Sequence, residues 1–187
     1  MYARDYGGRE LTFDFIRGLI KDNLVFVDRE TGSIWSQLEG QAVSGKLKGQ
    51  PLRMIPSIQT TWKYWRELHP DTGVLVDPGQ EGRTYFYGNF VPLLPRRGKP
   101  KAAHDTSKLG LGLAVNGQSM FFPFRELRRA KTPLEIQLGG ESITVHYKKE
   151  ALTAWATGAK GELLTAVLVY ERGWLRFFPK SKTFRAR

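Results

Sequence analysis

Gly40, Gly45 and Gly49 punctuate the sequence every four or five residues, closer together than an α-helix of ordinary length tolerates. The runs between such breaks alternate. Leu11, Phe13 and Phe15 are separated by Thr12 and Asp14, the period of a half-buried strand. Residues 23–27 form an apolar run that enters Asp28-Arg29-Glu30-Thr31-Gly32, whose polarity and closing glycine read as a hairpin connection. Residues 34–38 resume as a strand with Trp35 and Gln37 on one face. Asn116-Gly117 between apolar flanks marks a two-residue hairpin turn, and Gly139-Gly140 between residues 134–138 and 142–147 marks another. A long apolar strand is expected over 163–170, with 174–178 as an amphipathic final strand and a basic tail. The fold class is therefore α+β, predominantly β, built of antiparallel hairpins with a few short helices.

One helix stands out against this background. Thr60 or Thr61 caps it, residues 62–68 fill it, and Pro70 stops it after His69. Trp62, Trp65, Leu68 and His69 recur at three-and-four spacing and give it one apolar face. A second short helix is expected within 124–131, and a strand after Gly73.

The chain has 187 residues, 41% of them hydrophobic and 12% aromatic, enough to close one core. No apolar run is long enough to span a membrane, and the opening MYARDYGGRE lacks the pattern of a secretory signal. Without cysteine, disulfides and thiolate chemistry are excluded. His69, His104 and His146 are too widely spaced to suggest a metal site, and neither a GxSxG elbow nor a phosphate loop occurs, so no cofactor is expected.

Charge divides the chain. Residues 1–94 hold 11 Lys+Arg against 11 Asp+Glu, residues 95–187 hold 18 against 7, and the whole excess of +11 lies in the second half. Such asymmetry points to a partner. The reading is of two sub-units, a β-rich 1–94 and a basic, β-rich 95–187 with a basic C-terminal tail, joined by a loop at 95–101 into one compact domain. An internal echo accompanies the division. Trp65, Leu68, Pro70 and Thr72 match Trp174, Phe177, Pro179 and Ser181, and residues 2–11 weakly match 155–163. The two matches are offset differently, as though a duplicated unit lost residues in its second copy, which makes Met1 look like a late start in mid-repeat.

The segment "DRETGSIWSQLEGQAVSGKLKGQPL", with "PSIQTTWKYWRELHPDTGVL" after it, resembles the bacterial family known as domain of unknown function 3179. The likeness runs over about residues 9–76 and continues in "LGLAVNGQSMFFPFREL" at 109–127. It implies the motif residues Asp28, Arg29, Thr31, Gly32, Trp35, Gln37, Gly40, Gly45, Trp62, Trp65, His69, Pro70 and Thr72. It further implies export, through a signal and a Cys-containing motif in an upstream half that is not in this sequence. After Gly161 relatives often show a second "TGS-W" segment, which is abbreviated here.

Each constellation has a bland alternative. The Asp28–Gly32 segment could hold a ligand through Arg29, yet it has the composition of a polar turn in which Asp28 or Thr31 bonds backbone amides. Trp35 could be a stacking platform or a core side chain. Two basic clusters, Arg96, Arg97, Lys99 and Lys101, and Arg172, Arg176, Lys180, Lys182, Arg185 and Arg187, are candidate partner surfaces. The second is interleaved with Trp174, Phe177, Phe178 and Phe184, a pattern that suits nucleic acid as well as protein. The expected function is a non-catalytic accessory subunit of a larger assembly, binding an acidic protein surface through the basic half. A nucleic-acid binder and an enzyme with a site near Trp35, Gln37 and His69 are the alternatives.

Overall fold

The computed structural model describes residues 1–21, 23–74 and 108–186. The 95–101 segment, with Arg96, Arg97, Lys99 and Lys101, lies outside the described residues, as does Arg187. The expected β-rich, antiparallel architecture is present, with three short helices among the described residues.

The N-terminal part pairs β1 (Asp5–Tyr6) with β2 (Arg9–Glu10), then lays β3 (Phe13–Ile20), β4 (Asn23–Asp28), β5 (Ile34–Ser36) and β6 (Gln41–Ser44) side by side as one antiparallel sheet. Leu11, Phe26, Trp35, Ala42 and Leu52 form its core. Strand β5 stops at Ser36, two residues short of its expected end, because residues 37–40 turn to start β6. Alternation in β3 fails at a register shift after Phe15, which leaves Phe15 exposed. The helix α1 (Trp62–Leu68) follows, with the Thr61 hydroxyl accepting from the Tyr64 N–H as N-cap.

In the second part β7 (Leu109–Val115) and β8 (Gln118–Pro123) are joined by Asn116-Gly117, both at positive φ, as the favoured hairpin turn requires. A one-turn helix, α2 (Phe124–Leu127), leads to β9 (Leu134–Leu138), β10 (Glu141–Lys148) and β11 (Thr153–Thr157), an antiparallel sheet. Leu111, Leu113 and Phe122 from one sheet meet Ile143, Val145 and Ala156 from the other in the larger core. The expected strand at 163–170 is shorter: Leu163 bridges Thr157, and β12 spans Ala166–Tyr170. The expected final strand at 174–178 is instead a helix, α3 (Glu171–Phe177), followed by β13 (Lys182–Thr183). Trp174 and Phe177 fall three apart on it and are both buried, a helical period that the short segment hid.

The strand order β12-β7-β8-β13 explains the "LGLGL" of β7. Strand β12 runs antiparallel to β7, and β13 runs parallel to β8, so β12–α3–β13 is a parallel crossover with the β7–β8 hairpin between its strands. Helix α3 lies across that hairpin. A Cβ added at Gly112 would come within 2.3 Å of the Trp174 ring, and one at Gly110 within 2.5 Å of Phe121, so glycine alone permits the approach.

The internal echo is a structural repeat. Trp65 Nε1 donates to Thr72 Oγ1 at 2.9 Å, and Trp174 Nε1 donates to Ser181 Oγ at 2.8 Å. His69 and Phe178 cap the two helices with nearly the same dihedrals, and each lies against its Trp ring, at 4.2 and 4.0 Å between centroids. The correspondence extends upstream where the sequences diverge. Tyr2 bridges Met54 as Thr157 bridges Leu163, and the Ala3 N–H donates to the Arg53 carbonyl as that of Gly158 donates to Glu162, each at 2.9 Å. Residues 1–3 thus correspond to 156–158, which replaces the sequence match of 2–11 with 155–163. Where the first unit inserts residues 4–52 with the β3–β6 sheet, the second turns through 159–161.

Two alanine substitutions follow from the α3 packing. Gly112→Ala should lower stability by about 2 kcal/mol or more, because its Cβ meets the buried Trp174 ring, which is held by its bond to Ser181. Gly173→Ala, whose Cβ meets only Val169 Cγ2 at 3.4 Å in mid-helix, should raise stability by up to about 1 kcal/mol. Urea unfolding measures both.

Candidate functional site

The turn between β4 and β5 is organised by one buried carboxylate. Asp28 has no exposed surface; its Oδ1 accepts from the Thr31 N–H at 2.5 Å, and its Oδ2 accepts from Thr31 Oγ1 and from Trp35 Nε1, both at 2.8 Å. The Ser33 hydroxyl continues the chain to Thr31 Oγ1 at 2.6 Å and accepts from the Leu47 N–H at 3.0 Å, tying in the next loop. Burial pushes the Asp28 carboxyl up, but hydrogen bonds from Trp35, Thr31 and Ser33 together outweigh it and hold the group below the usual carboxylate range. Gly45, at φ 86°, brings the following loop so close that a Cβ there would lie 2.6 Å from the Ser33 Cα. Every oxygen of this carboxylate is spent on holding the turn, as its composition suggested.

The remaining motif residues are distributed around this network. Arg29 forms a two-pronged pair with Asp14, Nε to Oδ2 at 2.6 Å and Nη2 to Oδ1 at 2.7 Å, on the surface. Trp35 is wholly enclosed, edge-on to Phe13 and Tyr6, and offers no face to a ligand. Gln37 sits in the turn after β5, where its carbonyl accepts from the Tyr2 hydroxyl. Burial pushes the Tyr2 phenol up to about 12. Gly40 packs under the Tyr2 ring. Pro70 follows the α1 cap as expected.

Gln37 also lines a cleft of about 280 Å³ between the two units, with Tyr2, Asn23, Gln59, Trp155 and the outer side of β12. Neither Trp35 nor His69 reaches it, so the structure does not bring together the trio expected as an enzyme site. The His146 ring stacks parallel to Trp155 at 5.0 Å and shares a 3.1 Å hydrogen bond with Thr157 Oγ1. Burial lowers its pKa, favouring the neutral ring.

The basic C-terminal cluster is differently built from its sequence pattern. Trp174 and Phe177 are buried, Phe178 stacks on Trp174, and Phe184 packs on Phe122, so these aromatics help to close the fold. Arg185 and the Ala186 N–H both reach the buried Glu126 carboxylate, at 3.4 and 3.2 Å. The Ala186 bond is the chief reason this carboxyl is held below its usual range. Arg176 is half-buried and engaged, while Arg172, Lys180 and Lys182 are exposed.

The two equivalent helices differ most in what covers them. In α3, Trp174 and Phe177 are 2% and 8% exposed; in α1, Trp65 and Leu68 at the same places are 37% and 52% exposed, and Trp62 is 50% exposed. The predicted apolar face exists, but it faces outward. The correspondence of segment 57–61 to β12 was not legible because "SIQTT" and "AVLVY" share no pattern. Two hydrogen bonds tie this segment to the second unit: Thr153 Oγ1 donates to the Gln59 carbonyl at 2.7 Å, and Thr60 Oγ1 donates to the Ala151 carbonyl at 3.5 Å.

A family model described as Protein of unknown function (DUF3179) matches residues 1–179 of the chain. No curated protein and no solved structure matches it.

Replacing Asp28 by Ala should cost roughly 3 kcal/mol or more, since three donors, one a buried indole, lose their charged acceptor. Trp35→Phe, which leaves the Thr31 bonds in place, should cost less. The wild-type contribution of Asp28 is complete above its unfolded pKa of about 4 and is lost as pH falls through the lower folded value. The stability gap between wild type and Asp28→Ala, measured in urea from pH 7 downward, should therefore narrow below about pH 4.

Proposed function

This chain belongs to the DUF3179 family, and from that premise we propose that it is a non-catalytic accessory subunit docking on a larger polypeptide assembly. One observation carries the reading: the α1 face holding Trp62, Trp65 and Leu68 stands open, while its counterpart on α3 is sealed. Large apolar side chains grouped on one face and left in water mark a contact surface. Aromatic groups of this kind anchor interfaces.

The basic second half supplies the other part of the reading. Its exposed Arg172, Lys180 and Lys182 attract an acidic partner and raise the encounter rate, a contribution that salt screens. The buried Asp28 and the stacked His146 are occupied by structural bonds, which supports a binding role over catalysis. Nucleic acid would use the same cations but without the aromatic platforms, since Trp174 and Phe177 are enclosed.

The double variant Trp62→Ser/Leu68→Ser removes exposed groups and should leave the unfolding midpoint nearly unchanged. Polypeptides captured from lysate by the wild type at low salt should be lost with this variant and reduced at high salt. Identical capture by both proteins, or retention of nucleic acid alone, overturns the reading.

A further inference from the structure

The structural repeat specifies what fits the open face. In the second unit the crossover β12–α3–β13 encloses the β7–β8 hairpin, which fills the space between its strands and lies under the helix. By sequence position the first unit repeats this order: residues 57–61, helix α1 with the same C-cap and indole clasp, and then residues 73–74 at the place of β13. Among the described residues no strand pairs with 57–61 or with 73–74. The place that corresponds to the β7–β8 hairpin is thus a gap among the described residues, next to the exposed Trp65 and Leu68.

We infer that this gap is a docking site for a β-hairpin presented by a partner polypeptide, which adds its first strand antiparallel to residues 57–61 and packs beneath α1. The inference rests on the α1 face being the contact surface, and it names the occupant. The chemistry of that occupant is set by the sealed unit. Val167 lies opposite Gly112 and Val169 opposite Gly110, so the strand added beside Ile58 and Thr60 must carry glycine at the two facing positions. The reason is steric: Gly112 alone leaves room for the Trp174 ring, and Trp65 holds that ring's place in the first unit, pinned by the same bond to a hydroxyl seven residues on. The residues on either side of the second glycine, at the places of Leu111 and Leu113, are apolar and face away from the helix. The second strand returns beside Val74, itself 64% exposed, as β8 lies beside β13. Main-chain pairing supplies affinity, and the alternation of glycine with apolar residues supplies specificity. An edge of this kind attracts strands unless it is covered.

The test uses the whole protein and a synthetic peptide with the sequence of its own residues 108–124 as the hairpin probe. Expected are 1:1 binding, a blue shift of indole emission that Trp62→Phe reduces, and slowed amide exchange at 58–61. The amides of 109–123 in the protein should not change. The same peptide with Gly110→Val and Gly112→Val should bind about tenfold more weakly or worse. Absence of binding, equal binding of the valine peptide, or protection that appears at 109–123 instead of 58–61 overturns the inference. So does self-association of the free protein through α1, which would make a second copy the occupant. If capture by the wild type depends on Trp62 and Leu68 while the peptide fails, only the hairpin is wrong. If capture ignores those residues, the contact surface itself is wrong.

Discussion

Three indole N–H groups, each paired with a nearby acceptor, organise this protein, two of them on buried rings and that of Trp65 on an exposed one. Trp35 donates to Asp28, Trp65 to Thr72 and Trp174 to Ser181, each across seven positions of sequence. In the inserted sheet the pairing is charged: the carboxylate that receives the Trp35 N–H also receives Thr31, so the same group closes a turn and anchors the core. In the two crossovers it is neutral, and it folds the chain after each helix back against the ring. Removing the acceptor of Trp35 or Trp174 leaves a polar group stranded in an apolar place, which is costlier than the bond itself is favourable. The bonds therefore specify the geometry around each Trp more than they supply net stability.

The repeat turns this geometry into a functional argument. The two units share C-cap, clasp and flanking bridges, so they should solve the same packing problem. One solves it with a glycine-lined hairpin beneath the helix. The other presents the same helix to solvent. Where equal local structure has unequal covering, the difference marks the surface at which something else is packed. The charge of the second half, carried by groups such as Lys180 and Lys182, is a separate and more diffuse attraction.

Much of the fold was legible because turn chemistry is local. Asn116-Gly117, Gly139-Gly140 and the Asp28–Gly32 segment each announced a hairpin, and Thr61 and Pro70 bounded α1 closely. The α3 helix was hidden because a seven-residue element shows only two core positions, Trp174 and Phe177, too few to reveal a period. The inward packing of Trp174, Phe177 and Phe184 was hidden for a related reason. Cations between aromatics describe both a stacking surface and an amphipathic element with its aromatic side turned inward, and only tertiary packing separates the two. The echo at Trp65 and Trp174 was visible, but its extension to residues 53–61 rests on backbone pairing that side chains do not encode. The open face of α1 was legible as an apolar stripe and illegible as an exposed one, since covering is a property of the partner strands.

Hydrogen exchange at the individual indole Nε1–H groups tests the central claim most directly. The account predicts slow exchange for Trp35 and Trp174, and markedly faster exchange for Trp65 and Trp62 in the free protein. Protection of Trp65 equal to that of Trp174 would mean that the first crossover is already filled within the chain, and the open docking face would not exist.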